Sequence, residues 1–266
     1  MIRICIAGAT GWTGSALVSA LRKSDDFVLS GAVARQTAGL DIGLVNGNQA
    51  LGVIISASVA EALKVSADVL IDYSHPSVVK ENVLTALRHG VPVVIGTSGL
   101  TPQDFLDIEG AAKDKKLGVI AAGNFSITAA LAKHCALIAA KYLPHREILD
   151  YAQADKPDVP SGTTRELAES LAQVRPNEIL KPVEGLLGPK EARGVCVEGT
   201  QIHSLRLPGY TLAFETLFGL PDERLTIRHD AGTSAAPYVA GTLLAAERVL
   251  TTKGLVRGLD ALLFGQ

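Results

Sequence analysis

Three glycines close to the N-terminus have the spacing of a phosphate-binding turn. Gly8, Gly11 and Gly14 follow an apolar run at residues 2–7 and lie at the start of an apolar helical stretch. In a strand–turn–helix unit, the first glycine permits a tight turn, the second lets the backbone approach a pyrophosphate, and the third lets the helix pack on the sheet. Backbone amides at the helix start then bind the phosphates. The pattern predicts dinucleotide contacts from Gly8, Thr10, Gly11, Trp12 and Thr13; the alternative is a glycine-rich turn without a ligand.

The residues after the second apolar strand bear on which dinucleotide is bound. An acidic residue there accepts a hydrogen bond from a ribose hydroxyl and favours NADH. The segment GAVARQT instead places Ala34 at this point, with Arg35 directly after it. A guanidinium suits a 2′-phosphate because it forms charge-assisted, bidentate hydrogen bonds. We therefore expect NADPH to be preferred, with NADH as the alternative cofactor; in a plainer interpretation, Arg35 is a solvated surface charge.

Loops at three further strand ends carry small and polar residues. Ligands of an open parallel sheet bind at the carboxyl ends of its strands, where backbone amides and small side chains can line a nicotinamide and its ribose. The residues expected to do so are Tyr73, Ser74, Gly96, Thr97, Ser98, Gly123, Asn124 and Phe125. His75 lies in the first of these loops, and we interpret it as an ordinary polar residue beside a helix start.

The segment KPDVPSGTT carries the second group of residues that could do chemistry. Ser161, Gly162 and Thr163 lead into a helix, and the free amides and hydroxyls at its start form a site suited to a substrate carboxylate. Lys156 precedes this site by five residues and could supply a cation or a proton. The pattern predicts a carboxylate-binding turn beside a proton-donating lysine.

The same segment also has a purely structural interpretation. Thr163 and Glu166 fit the two positions of a capping box, which would satisfy the helix start without any ligand. Lys156 would then be a surface lysine paired with Asp155 or Asp158.

The elements that must position these residues change in character near residue 124. Strand-like and helical segments alternate up to that point, which predicts a parallel sheet with right-handed crossovers. The later pattern is a helix followed by a run of strands, which is typical of a separate α+β domain. The later segments are predicted as helices at residues 127–142, 163–172 and 237–250, strands at 147–152, 201–207, 211–218 and 224–229, and a loop at 175–200. We therefore expect an α/β protein with two domains.

Bulk properties restrict the class of protein further. The 266 residues carry a net charge of −2, and aromatic residues make up 5%, so nothing favours a nucleic-acid or membrane partner. The three cysteines have neither disulfide nor zinc spacing, and they are expected to be reduced core thiols. The six histidines show no metal-ligand spacing, so no metal is expected. No charged leader or membrane-length apolar run is visible, and a cytoplasmic enzyme acting on a small molecule is the expectation.

At these residues the chain resembles the dihydrodipicolinate reductase family over essentially its whole length. The matching motifs are GATGWTG, DYSHP, VVIGTSGL, AGNFSI, KPDVPSGTT, IHSLR and LTIRHDAG, in that order. The resemblance implies a Rossmann-type dinucleotide-binding domain at residues 1–125 and 235–266, with an inserted substrate-binding and oligomerisation domain at 126–234. It further implies a homotetramer, domain closure over the substrate, and hydride reduction of a cyclic imine dicarboxylate. Lys156 would be the catalytic proton donor, and Ser161, Gly162 and Thr163 would hold a carboxylate.

The chain departs from the family pattern at several positions. Two adjacent histidines before the lysine are replaced by Ala152 and Gln153, and Gln153 is taken as a substrate-binding residue. A later glycine–glutamate–histidine feature reads Leu212-Ala213-Phe214, and an arginine is replaced by Ser234. These changes favour a reductase that acts on the imine or activated double bond of a different, less acidic substrate. The alternatives are the lysine-pathway reductase itself, a catalytically inactive NADPH sensor, and an amino-acid dehydrogenase.

Overall fold

The computed structural model describes residues 1–265, and the contacts between residues divide the chain into two units. Unit 1 consists of Met1–Ile127 together with the residues from Ala235 onwards, and unit 2 consists of Thr128–Ser234. No helix within residues 1–265 combines the length and the apolar character that crossing a membrane requires.

Unit 1 alternates strands and helices along the chain. Its strands are β1 (Ile2–Ala7), β2 (Phe27–Val33), β3 (Ile55–Ser56), β4 (Val69–Asp72), β5 (Val93–Ile95), β6 (Gly118–Ala121) and β12 (Gly254–Arg257). Its helices are α1 (Trp12–Leu21), α2 (Ile42–Val45), α3 (Val59–Ala62), α4 (Val79–Arg88), α5 (Pro102–Lys115), α8 (Ala236–Arg248) and α9 (Leu259–Phe264).

The seven strands of unit 1 form one parallel sheet in the order β12-β6-β5-β4-β1-β2-β3. The inner strands are continuous apolar runs because helices cover both faces of a parallel sheet; β4 and β5 are buried along their whole length. The predicted Rossmann-type sheet is therefore confirmed. The strand β12 and the short helix α9 were not predicted, because each is too short to show a periodic pattern.

Two helix starts in unit 1 differ in how closely they follow their local residue signals. Thr101 caps α5 through a capping box with Asp104, as its position before a proline suggests. Pro76 is a residue type favoured at the first position of a helix, yet α4 begins only at Val79. A turn at residues 76–78, directly after His75, occupies the intervening residues, and the His75 ring nitrogen Nδ1 lies 3.2 Å from the Ser77 amide and 2.9 Å from the Ser77 hydroxyl.

Unit 2 is a sheet with two helices on one face. Its strands are β7 (His145–Ala152), β8 (Val195–Val197), β9 (Thr200–Arg206), β10 (Leu212–Leu220) and β11 (Glu223–Ala231), in the order β11-β10-β7-β9-β8, and its helices are α6 (Ile127–Ala140) and α7 (Gly162–Val174). The core lies between this sheet and both helices, where Ile148, Phe214 and Phe218 pack against Ala136 and Leu167. The α+β character expected for this part of the chain is confirmed.

Two sequence-based expectations need correction, one for unit 2 and one for the cysteines of the whole chain. The segment 175–200 is not only a loop, because β8 pairs with β9 as an antiparallel edge strand after two short 3-10 turns. Only Cys5 is a core thiol, and burial raises its pKa to about 12. Cys135 and Cys196 are exposed: the first lies on an outer face of α6, and the second lies on the edge strand.

Candidate active site

The turn after β1 is shaped so that a ligand can approach its backbone. Gly8 has a φ of +80°, and a Cβ at this position would lie 2.2 Å from the Tyr73 carbonyl oxygen. A Cβ on Gly14 would lie 2.1 Å from the Gly8 carbonyl oxygen, so the first turn of α1 packs directly on the loop. These contacts require glycine at both positions, as the sequence pattern predicts.

The start of α1 has no side-chain cap, a property that it shares with α4 and α8. Thr101 and Ser161 cap α5 and α7 with their side chains, whereas the N-cap residue of α1 is Gly11 and provides no side-chain hydrogen bond. The first amides of α1 therefore keep their capacity to bind an anion. Thr10 and Thr13 are half-buried beside this turn, and Trp12 is 53% exposed. These residues fit the pyrophosphate of a nicotinamide dinucleotide.

A buried carboxylate that was not among the predicted site residues organises the strand-end loops of unit 1. Asp72, the last residue of β4, is completely buried. Its Oδ1 accepts hydrogen bonds from the Ser74 amide at 3.0 Å, the Ser74 hydroxyl at 2.7 Å and the Thr97 hydroxyl at 2.6 Å. Its Oδ2 accepts one from the Asn82 amide group at 2.8 Å. Asp72 thus links the loops after β4 and β5, and the signal for it was an acid ending an apolar strand.

Two aromatic residues of the predicted cofactor set face inwards. The Tyr73 hydroxyl lies 2.8 Å from the Thr242 hydroxyl of α8, and burial raises the pKa of Tyr73. The Tyr73 ring packs under Gly96, where a Cβ would lie 2.2 Å from a ring carbon, and stands edge-on to the Phe125 ring. Phe125 is 1% exposed. Both rings therefore shape the loops from inside, and any contact of Phe125 with a ligand has to come from its main chain.

The remaining predicted cofactor residues lie near the surface of unit 1. Ser98 and Gly123 are exposed, and Asn124 is half-buried with its side-chain oxygen 2.8 Å from the Ser126 amide. Arg35 is exposed two residues beyond the end of β2, and it forms no salt bridge with any residue of the described chain. Its guanidinium is available to an external anion.

The second predicted site lies in unit 2, at the start of α7. Ser161 is the N-cap residue, and its hydroxyl accepts a hydrogen bond from the Thr164 amide at 3.4 Å. The expected Thr163–Glu166 capping box is wrong, because Glu166 instead forms a 2.9 Å ion pair with Lys133 of α6. Gly162 is exposed and Thr163 is half-buried. A helix start with small, accessible first residues suits a carboxylate.

Lys156 lies beside this helix start and pairs with an acid of the same loop. Its ammonium group contacts the Asp158 carboxylate, as the structural interpretation of the segment anticipates, and its side chain is 26% exposed. Partial burial acts to raise the pKa of Asp158, but the Lys156 hydrogen bond and charge, with the nearby Gly162 amide, hold that pKa below its ordinary value. Asp158 therefore interacts with the Lys156 ammonium group and the Gly162 amide, the same two groups that were predicted to receive a substrate carboxylate.

The positions at which the family pattern has histidines carry no cation here. Ala152 ends β7 and is buried, whereas Gln153 is exposed in the following loop. Phe214 is buried, and its ring centroid lies 5.5 Å from that of His229. Burial lowers the pKa of His229, which keeps its imidazole neutral at pH 7. Residues 1–265 contain no group of His, Cys, Asp or Glu side chains arranged to bind a metal ion.

An ion pair that was not predicted lies at the base of the same loop. The buried Asp150 carboxylate of β7 contacts the Arg206 guanidinium at the end of β9. Arg206 belongs to the IHSLR motif, but nothing in that motif indicates its partner 56 residues earlier.

Known proteins match this chain over nearly its whole length. The family description "Dihydrodipicolinate reductase, N-terminus" matches residues 2–125, and "Dihydrodipicolinate reductase, C-terminus" matches residues 125–263. The chain is 36% identical to the 4-hydroxy-tetrahydrodipicolinate reductase of Moorella thermoacetica, over 98% of both chains. It is also 36% identical to the reductase of the same name from Geobacillus kaustophilus, over 98% of this chain and 99% of that protein.

Solved structures agree with the sequence comparison. The dipicolinate-bound dihydrodipicolinate reductase from Paenisporosarcina sp. TG-14 superposes with a TM-score of 0.84 at 31% identity, over 99% of this chain and 100% of that one. An amine dehydrogenase from Mycobacterium smegmatis shares the fold alone, with a TM-score of 0.66 at 17% identity. The chain is an NAD(P)H-dependent oxidoreductase, and it belongs to the dihydrodipicolinate reductase family.

Proposed function

We propose that this enzyme reduces 4-hydroxy-tetrahydrodipicolinate with a reduced nicotinamide nucleotide. The observation that carries the proposal is the identity of 36% over 98% of both chains to a reductase named for that substrate. This replaces the sequence-based preference for a relative with a different substrate, which rested on the missing histidines, the Leu212-Ala213-Phe214 segment and Ser234. A second support is the retained start of α7 beside Lys156, which suits a carboxylate-bearing substrate.

We assign cofactor binding to residues of unit 1, and substrate binding and proton donation to residues of unit 2. When bound, the nicotinamide supplies a hydride to the activated double bond of the substrate. In unit 1, the amides after Gly8 bind the pyrophosphate, and Asp72 holds the loops that carry Ser74 and Thr97. In unit 2, the start of α7 binds a substrate carboxylate, and Lys156 donates the proton that accompanies the hydride.

One observation favours a second candidate, the reduction of a less acidic cyclic imine. Ala152, Gln153, Phe214 and Ser234 are all uncharged where the family resemblance leads one to expect basic groups. A site with fewer cations gains less from a second carboxylate. The distantly similar amine dehydrogenase supports no dehydrogenase function, because 17% identity shows the fold alone.

Steady-state oxidation of NADPH separates the two candidates. We expect kcat/KM for 4-hydroxy-tetrahydrodipicolinate to exceed that for a cyclic imine with one carboxylate by about 100-fold or more, because a site built for a polar group discriminates against its loss. A preference for the monocarboxylate imine would support the second candidate. Dinucleotide binding without turnover of either compound would contradict both.

We also propose that NADPH is preferred over NADH, which the exposed and unpaired Arg35 supports within the described chain. Replacing Arg35 by Ala should weaken NADPH binding about tenfold, because a charge-assisted phosphate contact is lost. Binding of NADH should change less than twofold. Arg22→Ala is the matched control, since that arginine also lies in unit 1 but binds Asn48. Equal losses for the two cofactors would argue against a 2′-phosphate contact.

A homotetramer and a cytoplasmic location complete the proposal. Leu180 and Leu187 are 87% and 99% exposed in the segment between α7 and β8, and we propose that a second copy of the chain covers them. The edge strands β8 and β11 also leave one side of their backbones unpaired within the described residues of unit 2. Three free cysteines are consistent with a reducing compartment.

A further inference from the structure

The loop that carries Lys156 is attached to the sheet of unit 2 at two points. We define the carboxylate loop as residues 153–163, from the end of β7 into the first turn of α7. The Ser161 amide donates a 2.9 Å hydrogen bond to Asp150 Oδ2. The Asp158 carbonyl oxygen accepts a 2.7 Å hydrogen bond from Arg206 Nη2. These attachments lie on either side of the turn that leads into α7.

A single ion pair supplies both attachments. The same Arg206 Nη2 lies 2.8 Å from Asp150 Oδ2, so the guanidinium joins the carboxylate of β7 to the loop carbonyl. Asp150 Oδ2 also accepts a 3.1 Å hydrogen bond from the Ser204 hydroxyl of β9. The register of the parallel strands β7 and β9 explains the geometry, because it pairs Asp150 with Ser204 and places Arg206 beside Ala152 at the end of the strand.

Burial distinguishes this pair from an ordinary surface salt bridge. The Asp150 side chain is 1% exposed and that of Arg206 is 13% exposed, so water competes little with their hydrogen bonds. A change to one partner of such a buried pair disturbs all the groups that share it, here the Ser161 amide, the Ser204 hydroxyl and the Asp158 carbonyl.

We propose that Asp150 and Arg206 are positioning residues that fix the carboxylate loop, so that the Gly162 and Thr163 amides and the Lys156 ammonium group meet a substrate carboxylate together. This inference rests on the proposed function and adds two residues that act through the loop rather than on the substrate. Asp150 places Ser161, the N-cap residue, and therefore sets where the next two amides point. Arg206 places Asp158, the residue that contacts Lys156.

Loss of the pair should affect ligand binding differently from a general loss of core stability. Its loss should lower affinity for a dicarboxylate and leave dinucleotide binding intact, because the predicted dinucleotide residues belong to unit 1. The two residues should also be coupled, since they share one oxygen atom and one loop. The double variant should then bind the ligand no more weakly than the single variant with the lower affinity.

Calorimetric titration with dipicolinate in the presence of NADPH tests these expectations. Arg206→Met and Asp150→Asn should each raise the dissociation constant for dipicolinate at least tenfold, with that for NADPH within twofold of wild type. Arg206→Lys should give an intermediate value, because an ammonium group keeps the charge beside Asp150 without a planar, bridging geometry. It also serves as the test variant if Arg206→Met fails to fold by circular dichroism.

The matched control is Glu166→Gln, which removes an ion pair from the same helix on the side facing α6. It should bind dipicolinate within twofold of wild type. Unchanged dipicolinate affinity in the Arg206 variants, or an equal loss in Glu166→Gln, would overturn the proposal.

Hydrogen exchange separates failure of this inference from failure of the proposed function. Exchange of the Ser161 amide, which donates to Asp150, should accelerate at least tenfold in Arg206→Met or, failing that, Arg206→Lys, without any ligand. If wild-type protein does not bind dipicolinate, the proposed substrate is wrong, and accelerated exchange would still establish that the pair holds the loop. Unchanged exchange would rule out the positioning role in either case.

Discussion

Among single residues, Lys156 combines accessibility with a fixed position. About a quarter of its side chain is exposed, and its ammonium group contacts Asp158, which follows it closely in the same loop. The negative charge of Asp158 persists at neutral pH, because the contact with Lys156 keeps the pKa of Asp158 low. A substrate carboxylate at the start of α7 would therefore have to compete with Asp158 for Lys156. On binding, the Lys156 ammonium group would exchange the Asp158 carboxylate for that of the substrate.

Replacement of Lys156 by Met tests its role as a proton donor. We expect kcat to fall at least about tenfold, since loss of a general acid costs about 10² to 10⁴ in rate when no other donor replaces it. The dissociation constant for NADPH should stay within twofold. Lys133→Met is the matched control, because Lys133 is also an ion-paired lysine of unit 2 and lies on α6. An unchanged kcat in Lys156→Met would remove this residue from the mechanism.

At the scale of elements, the helix starts differ in how their first amides are satisfied. The side chains of Thr101 and Ser161 cap α5 and α7, whereas α1, α4 and α8 have no side-chain cap. At α1, the glycines Gly8 and Gly14 also bring the helix start close to the preceding turn. The uncapped amides of α1 therefore lie at a turn whose backbone a ligand can approach.

Two helical glycines with opposite surroundings make a matched test of this element. A Cβ on Gly14 would lie 2.1 Å from a backbone oxygen, whereas a Cβ on Gly110 in α5 would meet nothing within 4 Å. Gly110→Ala should stabilise the protein by about 0.5–1 kcal/mol, because alanine loses less backbone entropy in a helix. Gly14→Ala should lower the melting temperature and weaken NADPH binding at least tenfold, as the turn must shift. Thermal unfolding and calorimetry measure both effects, and wild-type NADPH affinity in Gly14→Ala would disprove the close approach.

At the scale of the whole molecule, each unit has its own sheet and its own predicted ligand group. The cofactor residues belong to unit 1, and the carboxylate loop belongs to unit 2. Unit 2 also presents the exposed leucines between α7 and β8. We propose that unit 2 combines substrate binding with assembly of copies of the chain, whereas unit 1 carries the parallel sheet that binds the dinucleotide.

The proposed assembly predicts a solution mass four times that of the 27.8 kDa chain by light scattering. Leu187→Asp should shift the protein towards smaller species at micromolar concentration, because burying an unpaired carboxylate in an interface is costly. Leu44→Asp in unit 1 is the control, since Leu44 is 60% exposed and lies outside unit 2. A monomeric wild-type protein would contradict the tetramer.

Features that depend on local pattern were predictable from the residues alone. Apolar runs predicted the strands of the parallel sheet, because strands covered on both faces need apolar side chains throughout. Glycine spacing predicted the turn after β1, because only glycine tolerates the close backbone contacts of Gly8 and Gly14. The start of α5 likewise depends on local residues, because Thr101 and Asp104 form a capping box within one helical turn.

Contacts between residues that are far apart in the sequence depend on the tertiary structure alone. Thr97 donates to Asp72 from 25 positions away, and Arg206 reaches Asp150 from 56 positions away. The short strands β8 and β12 likewise exist because neighbouring strands complete their hydrogen bonds, so their own residues carry no pattern that predicts them. Local propensity acts over a few residues, whereas the burial of a charge and the pairing of an edge strand depend on partners that the fold brings together.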